Sequence, residues 1–172
     1  MEHRIVHDEL KLFCPDGFHF MDADERARLR FLGADSGVSL SDPERHMLVS
    51  IGWTRFVGVS ALLFNDHALA KKTEADIRKG MLSLGYQSGG FLQRSVGGRI
   101  MEGFAYTYTA QGIAMYGETC ALKTPQTLYY FQLYARDALR EESLPVWEAL
   151  LADAEWLGLG LDVKAKRFLF GK

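Results

Sequence analysis

From Gly89 to Arg136 apolar and polar residues alternate with period two, whereas earlier and later segments carry apolar residues in short runs and helical stripes. The alternating stretch, FLQRSVGGRIMEGFAYTYTAQGIAMYGETCALKTPQTLYYFQLYAR, contains four strand-like runs. Gly97-Gly98, Ala110-Gln111-Gly112 and Thr124-Pro125-Gln126 punctuate them, which predicts an antiparallel meander.

Ahead of the meander, Leu10–Phe13 reads as a strand stopped by the turn Pro15-Asp16-Gly17. MDADERARLRFL (21–32) predicts a short helix with Asp22 as cap, acids in its first turn, and Leu29 and Leu32 on one side. GADSGVSLSDP (33–43) reads as a surface loop, and HMLVSIGW (46–53) as a buried strand. GVSALLFNDHALAKK (58–72) fits either a helical turn or an irregular crossover. Thr73 and Asp76 then resemble a capping box opening a helix whose stripe is Ile77, Met81 and Leu84, with Gly85 ending it. After the meander, Ser143 can cap a last helix with Pro145 in its first turn and Trp147, Leu150, Leu151 and Ala154 on one face. Strands, helix, meander and helix make an α+β domain, with residues 1–172 as one unit and 158–172 as an extension.

A hairpin at Ala110-Gln111 puts Phe104, Tyr106, Tyr108, Ile113 and Met115 on one face. If the next turn is Thr124–Gln126, Tyr129, Phe131 and Leu133 join them, and this apolar surface is core. Thr107, Tyr116, Glu118, Cys120, Tyr130, Gln132 and Tyr134 then share the other face. Either a second helix-covered layer or a small-molecule or peptide groove fits its mixed character. The candidate binding residues are Trp53, Arg55, Tyr116, Glu118, Gln132 and Tyr134, the first two because IGWTRFVG (51–58) clusters Trp and Arg, favoured binding anchors. A core Trp beside a surface Arg is the plainer reading of that segment.

Composition narrows the function classes. A net charge of −2 gives no global pull toward nucleic acid or anionic lipid. Lys123 is the only basic residue between Ile100 and Ala135, so the aromatic ribbons lack the cations of a nucleic-acid platform. No apolar run approaches the roughly 20 residues of a membrane span, and MEHRIVHDELKLF has no secretory pattern. A cytoplasmic location is the expectation, with Cys14 and Cys120 as separate thiols. His3, His7, His19, His46 and His67 are too scattered to propose a metal site, DADE (22–25) lacks the later ligands of a calcium loop, and the glycine doublets do not precede helices as phosphate loops do. No cofactor and no catalytic residue is implied. The tail VKAKRFLFGK (163–172) mixes cations with aromatics, as a partner-binding peptide or an ordinary edge strand would.

Pro15-Asp16-Gly17-Phe18, the helix TEADIRKGMLSLGY, the meander and EESLPVWEALLADAEW follow one another in an order that resembles the fold family of PsbP and the Ran-binding nuclear import protein, with its bacterial small-protein branch. The likeness spans about residues 10–157. It implies an antiparallel sheet with helices packed on both faces, and a protein as the partner, since members mostly bind other proteins. It carries over no catalytic residues. The resulting expectation is a non-catalytic protein-binding or chaperone-like adaptor, as a monomer or weak homodimer. The alternative is a small-molecule binder or an enzyme using a polar-aromatic cleft on the second face.

Overall fold

The computed structural model describes residues 1–29, 37–55, 65–125 and 127–158. Its backbone is a seven-stranded antiparallel sheet in the order β3-β4-β5-β9-β8-β7-β6. The strands are β3 (His19–Phe20), β4 (Gly37–Asp42), β5 (Met47–Arg55), β6 (Gln87–Val96), β7 (Arg99–Ala110), β8 (Ile113–Lys123) and β9 (Thr127–Arg136). The last four are the meander expected from the period-two pattern. A second sheet of β1 (His3–Val6), β2 (Leu10–Phe13) and β10 (Glu155–Trp156), in the order β1-β2-β10, adds Val6, Leu10 and Leu12 to the main core.

Helices cover both faces of the large sheet. On one, α3 (Arg140–Asp153) buries Trp147, Leu150 and Leu151 against Val49, Ile51, Tyr129, Phe131 and Leu133. On the other, α2 (Asp66–Gly80) lies over β7 and β8. Its Ile77, with Met81 and Tyr86 beyond its end, packs on Phe104, Tyr106, Tyr108 and Tyr134, while Leu69 meets Ala121 and Leu128. The short α1 (Ala23–Arg28) has the expected cap, a full capping box between Asp22 and Glu25.

Four local expectations are corrected. Residues 37–42, part of the glycine- and serine-rich segment read as a loop, form β4, because Val38 and Leu40 alternate inward across from Ile51 and Val49. Helix α2 starts at Asp66 under an Asn65 cap, so Thr73 is mid-helix and donates its hydroxyl to the Leu69 carbonyl at 2.8 Å. Leu84 is exposed; Tyr86 takes its place in the stripe. Helix α3 begins at Arg140, preceded by a tight turn at Asp137–Leu139, so Ser143 is a buried second-turn residue and Pro145 sits inside the helix. Leu32, residues 58–64 of the ambiguous segment and the 163–172 tail lie outside the described residues.

The largest correction concerns faces. Lys123 pairs with Leu128, so four residues, 124–127, lie between the last paired positions of β8 and β9, not the assumed three. Thr124 and Thr127 close it, through Thr124 N–H to the Thr127 carbonyl at 2.8 Å and Thr127 N–H to Thr124 Oγ1 at 3.1 Å. One extra residue reverses the parity of every side chain on β9. Tyr130, Gln132 and Tyr134 therefore join Tyr106 under α2, and Tyr129, Phe131 and Leu133 join Tyr116, Glu118 and Cys120 under α3.

Gly97 ties the meander to α3. Its backbone is left-handed (φ +52°), its N–H donates to the Leu151 carbonyl at 3.0 Å, and an added Cβ would lie 2.7 Å from the Ala154 carbonyl oxygen. Trp156 locks the same corner, its Nε1–H donating to the Val96 carbonyl at 2.9 Å.

Asp42 organises the β4–β5 turn, accepting from the Glu44 and Arg45 N–H groups, both at 3.0 Å, and pairing with the Arg45 guanidinium. Burial pushes its carboxyl up, but these hydrogen bonds and the Arg45 charge outweigh that and hold it below the usual carboxylate range. A depressed folded value means the stabilisation is complete above about pH 4 and is lost as pH falls through the lower folded value. Asp42→Asn should therefore cost about 1–3 kcal/mol at neutral pH. In urea titrations the gap from wild type should stay constant down to about pH 4 and close below it. A gap independent of pH would contradict this account.

Candidate functional site

Glu118 is the most heavily engaged polar group. It has no solvent exposure and sits on β8 beneath α3. Arg94, from β6, grips it with Nε at 2.9 Å and Nη2 at 2.6 Å. The Tyr116 hydroxyl donates to it at 2.6 Å and the Trp147 indole N–H at 2.9 Å. Two donors thus meet each carboxylate oxygen. Arg94 also reaches Glu148 of α3 at 2.7 Å, so the node joins an outer strand, a central strand and a helix. Burial, then the hydrogen bond to Glu118, pushes the Tyr116 phenol above its ordinary value. Cys120, also fully buried, is pushed up to about 12 by burial, with the Glu118 charge adding to it. Occupied lone pairs and a protonated thiol make this a rivet between sheet and helix.

A second node anchors α2. Glu74, 4% exposed, accepts Arg78 Nη2 at 2.6 and 2.7 Å and the Tyr86 hydroxyl at 2.9 Å. The Tyr86 ring stacks on Tyr106 at 5.4 Å. A third lies where the two sheets meet. Glu9 accepts the Tyr129 hydroxyl, and the His7 ring lies 5.5 Å from Trp53. His7 and Asp8 both hold left-handed backbones (φ +50° and +57°) in the β1–β2 turn.

The six candidate binding residues do not converge. Trp53, Tyr116 and Glu118 share the α3 face, with Trp53 half-buried opposite Tyr129 and the other two buried. Arg55 is exposed at the end of β5, opposite Thr127. Gln132 and Tyr134 occupy the α2 face. The parity reversal of β9 separates them, and no single cleft can use all six. Among the described residues, no three His, Cys, Asp or Glu side chains are grouped to hold a metal ion, and no helix is long and apolar enough to cross a membrane.

What pattern reading misses is the position of β6 in the sheet. Among the described residues it is the outermost strand of the large sheet, ten residues long, and no described strand pairs with its outer backbone edge. Phe91 is 48% exposed, and Ile100 on neighbouring β7 is 62% exposed on the same face. His67 of α2 meets the Phe91 ring at 5.5 Å, and Gln93 donates to Glu102 at 2.6 Å between the two apolar side chains. The opposite edge, β3, is only two residues long.

No protein-family model matches the chain, and no curated protein matches it in sequence. Solved structures do match in shape. The cyanobacterial PsbP (CyanoP) of Synechocystis superposes with a TM-score of 0.59 at 12% identity over 90% of this chain and 91% of that one. The fold is PsbP-like. LpqN of Mycobacterium tuberculosis, a protein of cell envelope biogenesis, matches with a TM-score of 0.58 at 12% identity over 86% of this chain and 82% of that one. A Bacteroides thetaiotaomicron structure matches with a TM-score of 0.52 at 8% identity over 86% of this chain and 44% of that one. At such identities the PsbP-like architecture is what is shared, and function has to be argued from this chain's own surfaces.

Proposed function

We propose that the chain is a non-catalytic protein-binding module, of the adaptor or chaperone-like kind, that receives an extended segment of a partner on β6. The observation carrying this reading is the long edge of β6, unpaired among the described residues, with exposed Phe91 and Ile100 on its flank. An added strand pairs with backbone N–H and C=O groups that the edge leaves free, and apolar side chains on the flank supply burial. Natural edges are usually blunted by lysine, proline or bulges. Here a register shift between Ser88 and Gly90 interrupts the start of the strand, but residues 90–96 run regularly and contain neither Lys nor Pro. The buried Glu118 and Glu74 nodes hold the scaffold beneath this edge.

The test is site-specific photo-crosslinking of the full chain in its native cells. p-Benzoylphenylalanine replaces Phe91, and as a control it replaces Glu44, which is exposed in the β4–β5 turn. Discrete adducts are expected from position 91 alone. No adduct at 91, or the same adducts from both positions, overturns the reading. We place the module in the cytoplasm, in line with its two free thiols. Fractionation of the tagged full chain checks this, and recovery with the envelope, in whose biogenesis LpqN is involved, would refute it.

A further inference from the structure

We propose that the occupant of β6 is a second copy of this chain, the two β6 strands pairing antiparallel about a two-fold axis normal to the sheet. This rests on the strand-addition reading and names the partner. Three observations select a copy over a foreign strand.

The first is parity. Phe91, Gln93 and Ser95 lie opposite Phe104, Glu102 and Ile100 and so share one face. A two-fold normal to the sheet keeps that face on the same side in both copies, and directly opposed residues in an antiparallel pair point to the same side. Phe91 must then meet Phe91, Gln93 or Ser95 of the other copy. None of these is charged, so no register around the axis places like charges together on that face.

The second is the state of Arg94, the only charged residue in β6. Its guanidinium is held inside its own protomer by Glu118 and Glu148, with only 19% of the side chain exposed. The edge is therefore close to neutral. Neutrality suits self-pairing, in which every charge near the axis would face itself, and gives a foreign strand no electrostatic handle.

The third is closure. Among the described residues the other edge of the large sheet is β3, which offers two residues, so an open chain of copies joined β6 to β3 has almost no ladder to form. Pairing of β6 with β6 uses the long edge found among the described residues of each copy and stops at two.

The experiment uses the purified full chain. Sedimentation across a concentration series should show a reversible monomer–dimer equilibrium, and p-benzoylphenylalanine at position 91 should give a covalent dimer of this chain alone. Phe91→Lys should raise the dimer dissociation constant about tenfold or more by setting like charges beside the axis. Circular dichroism confirms that the variant is folded, which the exposure of Phe91 favours. Mixing Phe91→Lys with Phe91→Glu should restore dimers that are lysine–glutamate heterodimers. A dimer indifferent to Phe91→Lys places the interface elsewhere and overturns the proposal. A monomer at every concentration whose position-91 adducts in cells are all to other proteins also overturns it, while the strand-addition reading stands. A monomer with no adducts in either setting removes both.

Discussion

Glu118→Ala should cost about 3–5 kcal/mol, a fall of roughly 10 °C in the thermal midpoint of a chain this size. The physical reason is what the carboxylate leaves behind. Arg94 keeps only Glu148, whose side chain is 56% exposed, and the Tyr116 hydroxyl and Trp147 indole N–H both lose their acceptor beneath α3. An unpaired buried donor costs about 1–3 kcal/mol, and a stranded charge more. Glu118→Gln keeps the volume and one acceptor oxygen, so its loss should be smaller. Adding Arg94→Met to Glu118→Ala removes the stranded charge and should recover part of the loss, leaving the indole and phenol unmet. Calorimetry on the three variants and the Arg94→Met single gives the coupling. If Glu118→Ala costs less than about 1 kcal/mol, or the double variant is simply additive, the rivet does not hold α3 to the sheet. Arg94 is also a β6 residue, so the same loss should loosen the strand on which pairing depends.

How far the sequence discloses this arrangement depends on whether the deciding signal is local. The meander is legible because alternation and turn residues are local, and Trp147, Leu150, Leu151 and Ala154 are buried as their spacing predicts. The Asp22 capping box is equally local. Helix α2 starts eight residues earlier than Thr73 suggests, and its true cap, Asn65, is hidden at the end of an apolar run that fits several structures. Strand β4 hides in a serine- and glycine-rich segment because its pairing with β5, not its composition, makes it a strand. The candidate site fails for a sharper reason. Grouping Tyr116 and Glu118 with Gln132 and Tyr134 requires three residues between the last paired positions of β8 and β9, and the four actually there, 124–127, reverse β9. The edge position is invisible in sequence, since β6 is outermost among the described strands only because β9 pairs with β5 at its other side. That is a long-range choice no local pattern encodes.

Gly117→Val should cost about 3 kcal/mol, the upper part of the range for overpacking a well-filled core. Tyr106 faces Gly117 across the β7–β8 ladder, and its ring lies over the bare glycine. An added Cβ would sit 2.5 Å from Tyr106 Cζ and 2.6 Å from Cε2. A flexible side chain could swing clear of such a clash, but this ring is fully buried and has no room. Tyr86 stacks on it at 5.4 Å, Phe104 and Tyr108 flank it at 5.8 and 5.9 Å, and its hydroxyl lies 3.5 Å from Thr119 Oγ1. Displacing Tyr106 therefore forfeits aromatic contacts worth about 0.5–1.5 kcal/mol each. The disturbance should pass to Tyr86, which joins the stack to Glu74 of α2 and directly precedes β6. Hydrogen exchange should accordingly quicken over residues 74–92 while the β4–β5 pair keeps its protection. Tyr106→Leu alone should be destabilising, yet combined with Gly117→Val it should be less so than the two losses added, because the smaller side chain makes room for valine. Strict additivity, or protection unchanged in α2 and β6, would show that the ring does not depend on the glycine beneath it. Self-association should weaken in Gly117→Val if pairing needs β6 in register, which links packing under α2 to the edge where two copies meet.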